Sequence, residues 1–522
     1  MLVGLLTTVA AASCASDEVP TGTSTTLAIA GAEPPAGTVA DGLEVRATTI
    51  ANLPTTATSM VAAPDGSELL VGDRSGVVHR IDLRERDGVV TPVTDEEPVF
   101  DVSSEVTLQF DRGFLNMALV DEGRSLVVLY TGTDGDLILA QYDYEPGDAI
   151  DTSTQRVLFR IPWPYPLHHG GGLAVDAEGD LLIGIGDMAL SLPVTPGQQD
   201  PALLLGGILP VPAEVLADRS ATWEPRPEDM VARGLRNPWR IAVDPADGGI
   251  YVGDVGDHLA EEVDWIDPDE PVPNFGYPYI EGSVRVFNDI PDDVAFTGPI
   301  VERKHSDGTC GMVGGVVYDG RRIPELRGRY LYTDLCDAEV HAIARDDDGS
   351  VSDDDVITKL SEPAISLAEG ADGEVYALGS QGAVMRLDPA SWKVPDVTTT
   401  QPPPPDESTT STIPLNTVDC QIAAVMEPLD FMGALPPDEL EAQFTGVLDK
   451  LDTLIPTLPA KLKPMALQLQ KTFAGVAAAY EAADWDITDP GLEELRQQLL
   501  TATGPFEGFP QAMSDLYDSG CV

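Results

Sequence analysis

The sequence predicts an all-β six-bladed β-propeller followed by a small all-α helical bundle. Three observations carry this. Six segments repeat one pattern: alternating apolar residues, an acidic-glycine turn, and a second apolar run. They are 63–83, 120–132, 175–187, 243–257, 318–336 and 369–389. Asp-Gly and Glu-Gly pairs suit tight hairpins, because glycine supplies the positive φ such turns need. Their spacing is irregular, which fits one four-stranded sheet per repeat with long loops on one side. A pair of β-sandwiches competes, but so many periodic strand runs favour the propeller. The third observation is a change of period near residue 417, where Leu440, Phe444, Val447, Leu448, Leu451 and Leu454 adopt helical spacing.

In chain order, residues 1–14 (MLVGLLTTVAAASC) form a short apolar run ending in small residues and Cys14. The run is too short to span a bilayer. It resembles the lipobox of a bacterial lipoprotein, with Cys14 as the lipidated residue, although no positive charge precedes it. Residues 15–41, rich in Ala, Thr, Gly, Pro and Ser, read as a flexible tether. The propeller is expected over 42–390. Residues 391–416 contain four consecutive prolines and many threonines, a semi-rigid spacer. The bundle is expected over 417–522, with Pro436 and Pro437 starting a helix and further helices near 460–483 and 490–503. It holds no catalytic constellation and reads as an attachment or protein-interaction module. With Cys14 lipidated, the other four cysteines fall as one pair per domain, which predicts Cys310–Cys336 and Cys420–Cys521 disulfides in an exported protein. The expected location is the bacterial cell envelope outside the cytoplasm, lipid-anchored or secreted, touching membrane only through that anchor.

Charge narrows function. The 522 residues hold 30 Lys+Arg against 87 Asp+Glu, a formal net charge of −57. So acidic a surface repels nucleic acid and anionic lipid, and suits cations or neutral substrates. Against that background Arg233, Arg236 and Arg240 crowd into one nine-residue loop, ARGLRNPWR.

Three stretches are candidates for chemistry: HHGGGLAVD (168–176); GLRNPWR (234–240) with GDVG (253–256) and NFGYPYIEG (274–282); and GTCGMVGGVVYDG (308–320) with LRGRYLYTDLC (326–336). Together they resemble the glucose/sorbosone dehydrogenases, the soluble quinone-dependent sugar dehydrogenases whose propeller is shared by Hedgehog-interacting protein. The resemblance covers roughly 42–390. It implies pyrroloquinoline quinone and Ca2+ as cofactors, a small sugar or polyol as substrate, and an unknown electron acceptor. His168 matches the family's catalytic base, and a histidine is suited to taking a hydroxyl proton near neutral pH. Arg236 and Asn237 match the residues at the reactive quinone side, where Arg236 would stabilise negative charge on the quinone oxygen as hydride arrives. Gly256 and Asp257 match the calcium-holding loop. His169 is expected to point elsewhere by strand alternation. Arg233 and Arg240 are expected to pair with acids on the propeller surface.

The family pattern also fails in places. Asp319 stands where relatives often carry a cation, Asp337-Ala338-Glu339-Val340 lacks a basic residue, and Gly206-Gly207-Ile208-Leu209-Pro210 lacks two. A tricarboxylate cofactor would lose partners there, and a like charge at about 4 Å costs on the order of 4 kcal/mol. Two functions therefore stand: a quinone-dependent dehydrogenase, or a catalytically degenerate propeller serving as an extracellular protein- or glycan-binding scaffold.

Overall fold

The computed structural model describes residues 43–391 apart from short gaps, the longest at 190–196 and 287–293, together with Ile29–Ala30 and the helical residues 437–457 and 463–482. Six antiparallel sheets make the ring: five are four-stranded, and that of blade I carries a fifth short strand, Phe100–Asp101. Each blade runs inner strand, hairpin, second strand, third strand, outer strand. The inner strands are Ala57–Ala62, Phe114–Val120, Gly170–Val175, Pro238–Val243, Met312–Val317 and Ala364–Glu369, in blades I to VI. Every hairpin between inner and second strand falls in one of the six repeats, so the acidic-glycine turns all gather on one face, here the lower. The upper face carries the long loops that lead into each inner strand.

The ring closes by sharing a sheet between its ends. Val45–Asn52 is the outer strand of blade VI, paired antiparallel with Ala383–Pro389 from the far end of the propeller. No free sheet edge remains at the join, the condition a closed β architecture satisfies. Second strands are buried on both faces: Ser125–Thr131, Ile250–Asp254 and Val375–Gly379 show no exposed position. This explains runs such as LVVLY that do not alternate.

Each inner strand is bulged just after it starts, between Ala57 and Ser59, Phe114 and Asn116, Gly170 and Leu173, Pro238 and Arg240, Met312 and Gly314, and Ala364 and Ser366. A bulge leaves a residue outside the ladder. Several of the freed carbonyls meet one side chain. Arg240 is 5% exposed and donates to Trp239 O at 2.8 Å, Thr58 O, Leu115 O at 3.4 Å and Gly171 O at 3.4 Å, four carbonyls from four blades. Its guanidinium lies 4.3 Å over the Trp239 ring, and the Trp239 indole donates to Ile365 O of blade VI. Arg240 is thus a tie inside the ring, not a surface ion-pair partner. The expectation for Arg233 fails too. It is partly buried and donates to Pro227 O, and it makes no ion pair within 4 Å among the described residues.

Cys310–Cys336 is bridged, with Cα atoms 5.7 Å apart. Cys14, Cys420 and Cys521 lie outside the described residues, as does the predicted helix at 490–503. The helices Pro437–Leu454 and Lys463–Ala482 pack together through Leu451, Leu469, Phe473 and Val476, and these residues join the apolar cluster of blades II and III. No helix among the described residues is long and apolar enough to cross a membrane.

Candidate active site

The upper ends of blades III and IV bring the predicted residues together. The second strands of blades I, IV and V end here in an acid, Asp73, Asp254 and Asp334, and Asp187 lies two residues past the end of the second strand of blade III. Each accepts backbone N–H groups from the loops beside it. Asp73 takes Ser75 and Val77, Asp254 takes Arg236 and Asn237, and Asp334 takes Cys310, Gly311 and Cys336. Asp187 takes Ala189 N–H at 2.7 Å and, with the same oxygen, meets the His168 ring at Nδ1, 2.7 Å away. Its other oxygen accepts from Gln198 Nε2 at 3.0 Å.

His168 is 6% exposed and sits at φ +50°, a region a β-carbon disfavours. Three contacts hold it there. Its backbone N–H donates to Asp111 Oδ2 at 2.8 Å, and its carbonyl accepts from Met188 at 3.3 Å. Gly186 lies so close that a β-carbon there would stand 1.9 Å from His168 O, so only glycine fits. Because Asp187 is an acceptor, Nδ1 carries the ring proton and Nε2 keeps its lone pair. Nε2 has no partner among the described residues.

Asn237 and Arg236 are wired to this dyad. Gly170 N–H donates to Asn237 Oδ1 at 2.9 Å, and Asp187 N–H donates to Arg236 O at 2.9 Å. Arg236 is 2% exposed. It donates from Nη1 to Val255 O at 2.9 Å and from Nη2 to Asp257 Oδ1 at 3.2 Å, while Nε has no partner. Burial alone would lower its pKa; Asp257, Tyr277, Asp187 and Glu281 outweigh that and hold it above its ordinary value. Asp254, under both backbones, is pushed up by burial despite its two N–H donors.

The 256–260 loop has its amides turned onto carboxylates. Gly256 N–H donates to Glu261 Oε2 at 3.0 Å, and Asp257, His258, Leu259 and Ala260 all donate to Glu281 Oε1 at 2.7–3.2 Å. The carbonyl oxygens of Gly256 and Asp257 accept no hydrogen bond among the described residues. Two free carbonyls on an acid-rich loop are a donor set of the kind a hard cation takes.

His169 does point elsewhere, as alternation predicted. It is 1% exposed, stacks on Trp163 with centroids 5.3 Å apart, and leaves both ring nitrogens without partners. Burial first, then Arg112, His168 and Arg74, drive its pKa well below the ordinary histidine value.

Two expectations about missing cations resolve differently. Asp319 lies at the lower end of the blade V inner strand, away from this site, and pairs with Arg327 at 3.0 Å. It therefore imposes no repulsion on a ligand at the upper face. Asp337 is on the upper face but is paired with Arg303 at 2.9 Å. Sequence reasoning missed Asp187, Asp111, Gln198 and Glu281. The recurring acid at second-strand ends was the signal available for Asp187.

Comparison with known proteins places these features. The family model for glucose / sorbosone dehydrogenase matches residues 55–386. Among curated proteins, HIPL2 protein of Arabidopsis thaliana is 28% identical over 214 residues, 35% of this chain and 30% of that one. HIPL1 protein of the same plant is 23% identical over 361 residues, 53% and 50% respectively. The chain thus spans a third to a half of these relatives' length. Among solved structures, the PQQ-bound aldose sugar dehydrogenase of Streptomyces coelicolor aligns with TM-score 0.53 at 18% identity, covering 66% of this chain and 98% of its own. The apo soluble aldose sugar dehydrogenase of Escherichia coli gives 0.51 at 20%, covering 66% and 99%. At such identities these structures speak for the fold alone.

Proposed function

Because the chain belongs to the glucose/sorbosone dehydrogenase family, we propose that it oxidises the C–OH of a small sugar or polyol, with pyrroloquinoline quinone as hydride acceptor and Ca2+ beside it. The observation that carries this reading is the His168–Asp187 pair at 2.7 Å, bonded through backbone and side chain to Arg236 and Asn237. His168 Nε2 takes the hydroxyl proton. Asp187 fixes the ring and steadies the imidazolium that forms. Arg236 lends positive charge to the site, and its bonds to Val255 and Asp257 prevent it from swinging away. The quinone, when bound, supplies a two-electron acceptor for the hydride. Gly256 and Asp257 carbonyls are the groups that would hold calcium. The Cys310–Cys336 bridge favours an oxidising compartment outside the cytoplasm.

One observation favours the second reading, a scaffold without quinone chemistry. The upper loops of blades V and VI, 335–338, 361–363 and 380–382, contain no Lys or Arg. Among the described residues, the cations on that side are Arg303 and Lys359, which Asp337 and Glu339 already engage.

The test is a titration of the full chain with pyrroloquinoline quinone, with and without Ca2+, following the quinone absorbance. Calcium-dependent binding that weakens in Arg236→Ala, with His168→Ala binding but unable to reduce the quinone with sugars, supports the dehydrogenase. Absence of binding at tens of micromolar leaves the scaffold.

A further inference from the structure

Cations are scarce here, and most described arginines on the upper face have an acid: Arg236 meets Asp257 and Arg303 meets Asp337. Two do not. Arg74, in the loop after the second strand of blade I, and Arg112, in the loop leading into blade II, make no ion pair within 4 Å among the described residues. They touch each other's chain. Arg74 Nε donates to Arg112 O at 3.0 Å, and a β-carbon on Gly113 would come within 2.6 Å of Arg74 Cγ. Arg112 is fixed by Gln109 Oε1 at 3.2 Å, Trp163 O at 3.1 Å and Pro164 O at 3.3 Å. Among the described residues the terminal nitrogens of Arg74 have no partner, and they are not buried.

Two cationic side chains on adjoining loops, in a chain with nearly three acids per base, offer positive charge that an anion can meet. A second observation lies at the same spot. His169 stacks on Trp163, whose carbonyl Arg112 holds, and both its ring nitrogens are buried without a partner. A neutral imidazole keeps one N–H to donate, and a buried donor left unpaired is costly. Two neighbouring acids accept backbone N–H groups instead. Asp111 holds His168 N–H, and Asp73 holds the turn at Ser75 and Val77. Asp136 draws on Arg112 only at longer range.

We propose that Arg74, Arg112 and His169 form a subsite for a carboxylate, on the upper face of blades I and II beside His168. The site lies next in chain to the proposed base, so its ligand is a small acid whose other end reaches His168. A sugar carrying a carboxylate, of the uronic acid class, has that form. The carboxylate of the quinone is the other source of the same chemistry. The inference rests on the dehydrogenase reading for the role of the ligand, but not for its binding.

The experiment is calorimetric titration of the full chain with glucuronate, glucose and pyrroloquinoline quinone, in wild type, Arg74→Gln and Arg74→Lys, at low and high salt. Circular dichroism and urea unfolding check that Arg74→Gln stays folded. The expected result is glucuronate binding about tenfold tighter than glucose, a preference lost in Arg74→Gln, kept in part in Arg74→Lys and reduced by salt. Equal sugar affinities with quinone binding about tenfold weaker in Arg74→Gln assign the subsite to the cofactor's carboxylate. Identical affinities for all three ligands in wild type and Arg74→Gln overturn the proposal. If wild type prefers glucuronate yet never binds the quinone, the subsite stands and the dehydrogenase reading falls. If it binds the quinone with calcium and Arg74→Gln changes nothing, only the subsite falls.

Discussion

Replacing Arg240 with methionine tests what holds the ring at its centre. The guanidinium makes two short bonds, to Trp239 O at 2.8 Å and to Thr58 O, and two long ones at 3.4 Å. A hydrogen bond from a charged donor contributes about 1.5–3 kcal/mol, so the two short ones contribute about 3–6 kcal/mol. Methionine would recover some of this, because burying a guanidinium is itself costly. It cannot recover all, since the acceptors are backbone carbonyls freed by bulges and no substitution removes them. A net loss of about 3 kcal/mol is expected, a large part of the roughly 5–15 kcal/mol that holds a domain. Arg240→Lys keeps donors but not the fork and should fall between. Urea unfolding of the full chain, followed by tryptophan fluorescence, measures it. An Arg240→Met chain within about 0.5 kcal/mol of wild type would refute the central tie, since that is the scatter of neutral surface changes.

Two further outcomes follow from the same upper face. Glu281→Ala removes the oxygen that four successive amides share, so hydrogen exchange at 257–260 should quicken by about ten- to a hundredfold, with Glu281→Gln close to wild type; unchanged protection would show that another group orders the loop. On blade IV, Asp254, Glu262 and Asp264 share a face, all raised in pKa by burial first and then, for Glu262 and Asp264, by neighbouring carboxylates. Folded values above unfolded ones mean stability present below about pH 4 and lost as pH rises through the raised values. Asp264 has no partner on either oxygen, so Asp264→Asn should become more stable relative to wild type between about pH 5 and 8. A difference that is flat with pH would mean these carboxyls ionise as they do in the unfolded chain.

The blades were legible because their turns are local. A hairpin needs its glycine whatever lies elsewhere, so six acidic-glycine turns announced six sheets. His168, Arg236 and Asn237 were legible through motif, and they do meet. Arg240 was not, because its partners are carbonyls of Thr58, Leu115 and Gly171, far away in sequence and exposed only by bulges. Arg74 and Arg112 were hidden for a related reason. The chain offers acids near these arginines in sequence, and only the folded ring shows that neither side chain is paired with one among the described residues. Asp319 misled in the opposite sense. Its position in a motif suggested a mouth residue, whereas strand direction sends it to the lower face. Asp187 left a trace, an acid at or just past the end of four of the six second strands, yet which of those four meets a histidine depends on the ring.

The shared sheet of blade VI also sets where the ring can come open. Val45 pairs with Pro389, and Ala390 N–H bonds Glu44 O, so the chain enters and leaves the ring at one point on its lower rim. The closing ladder holds both ends of the ring together there, so a break at either end loosens the same sheet.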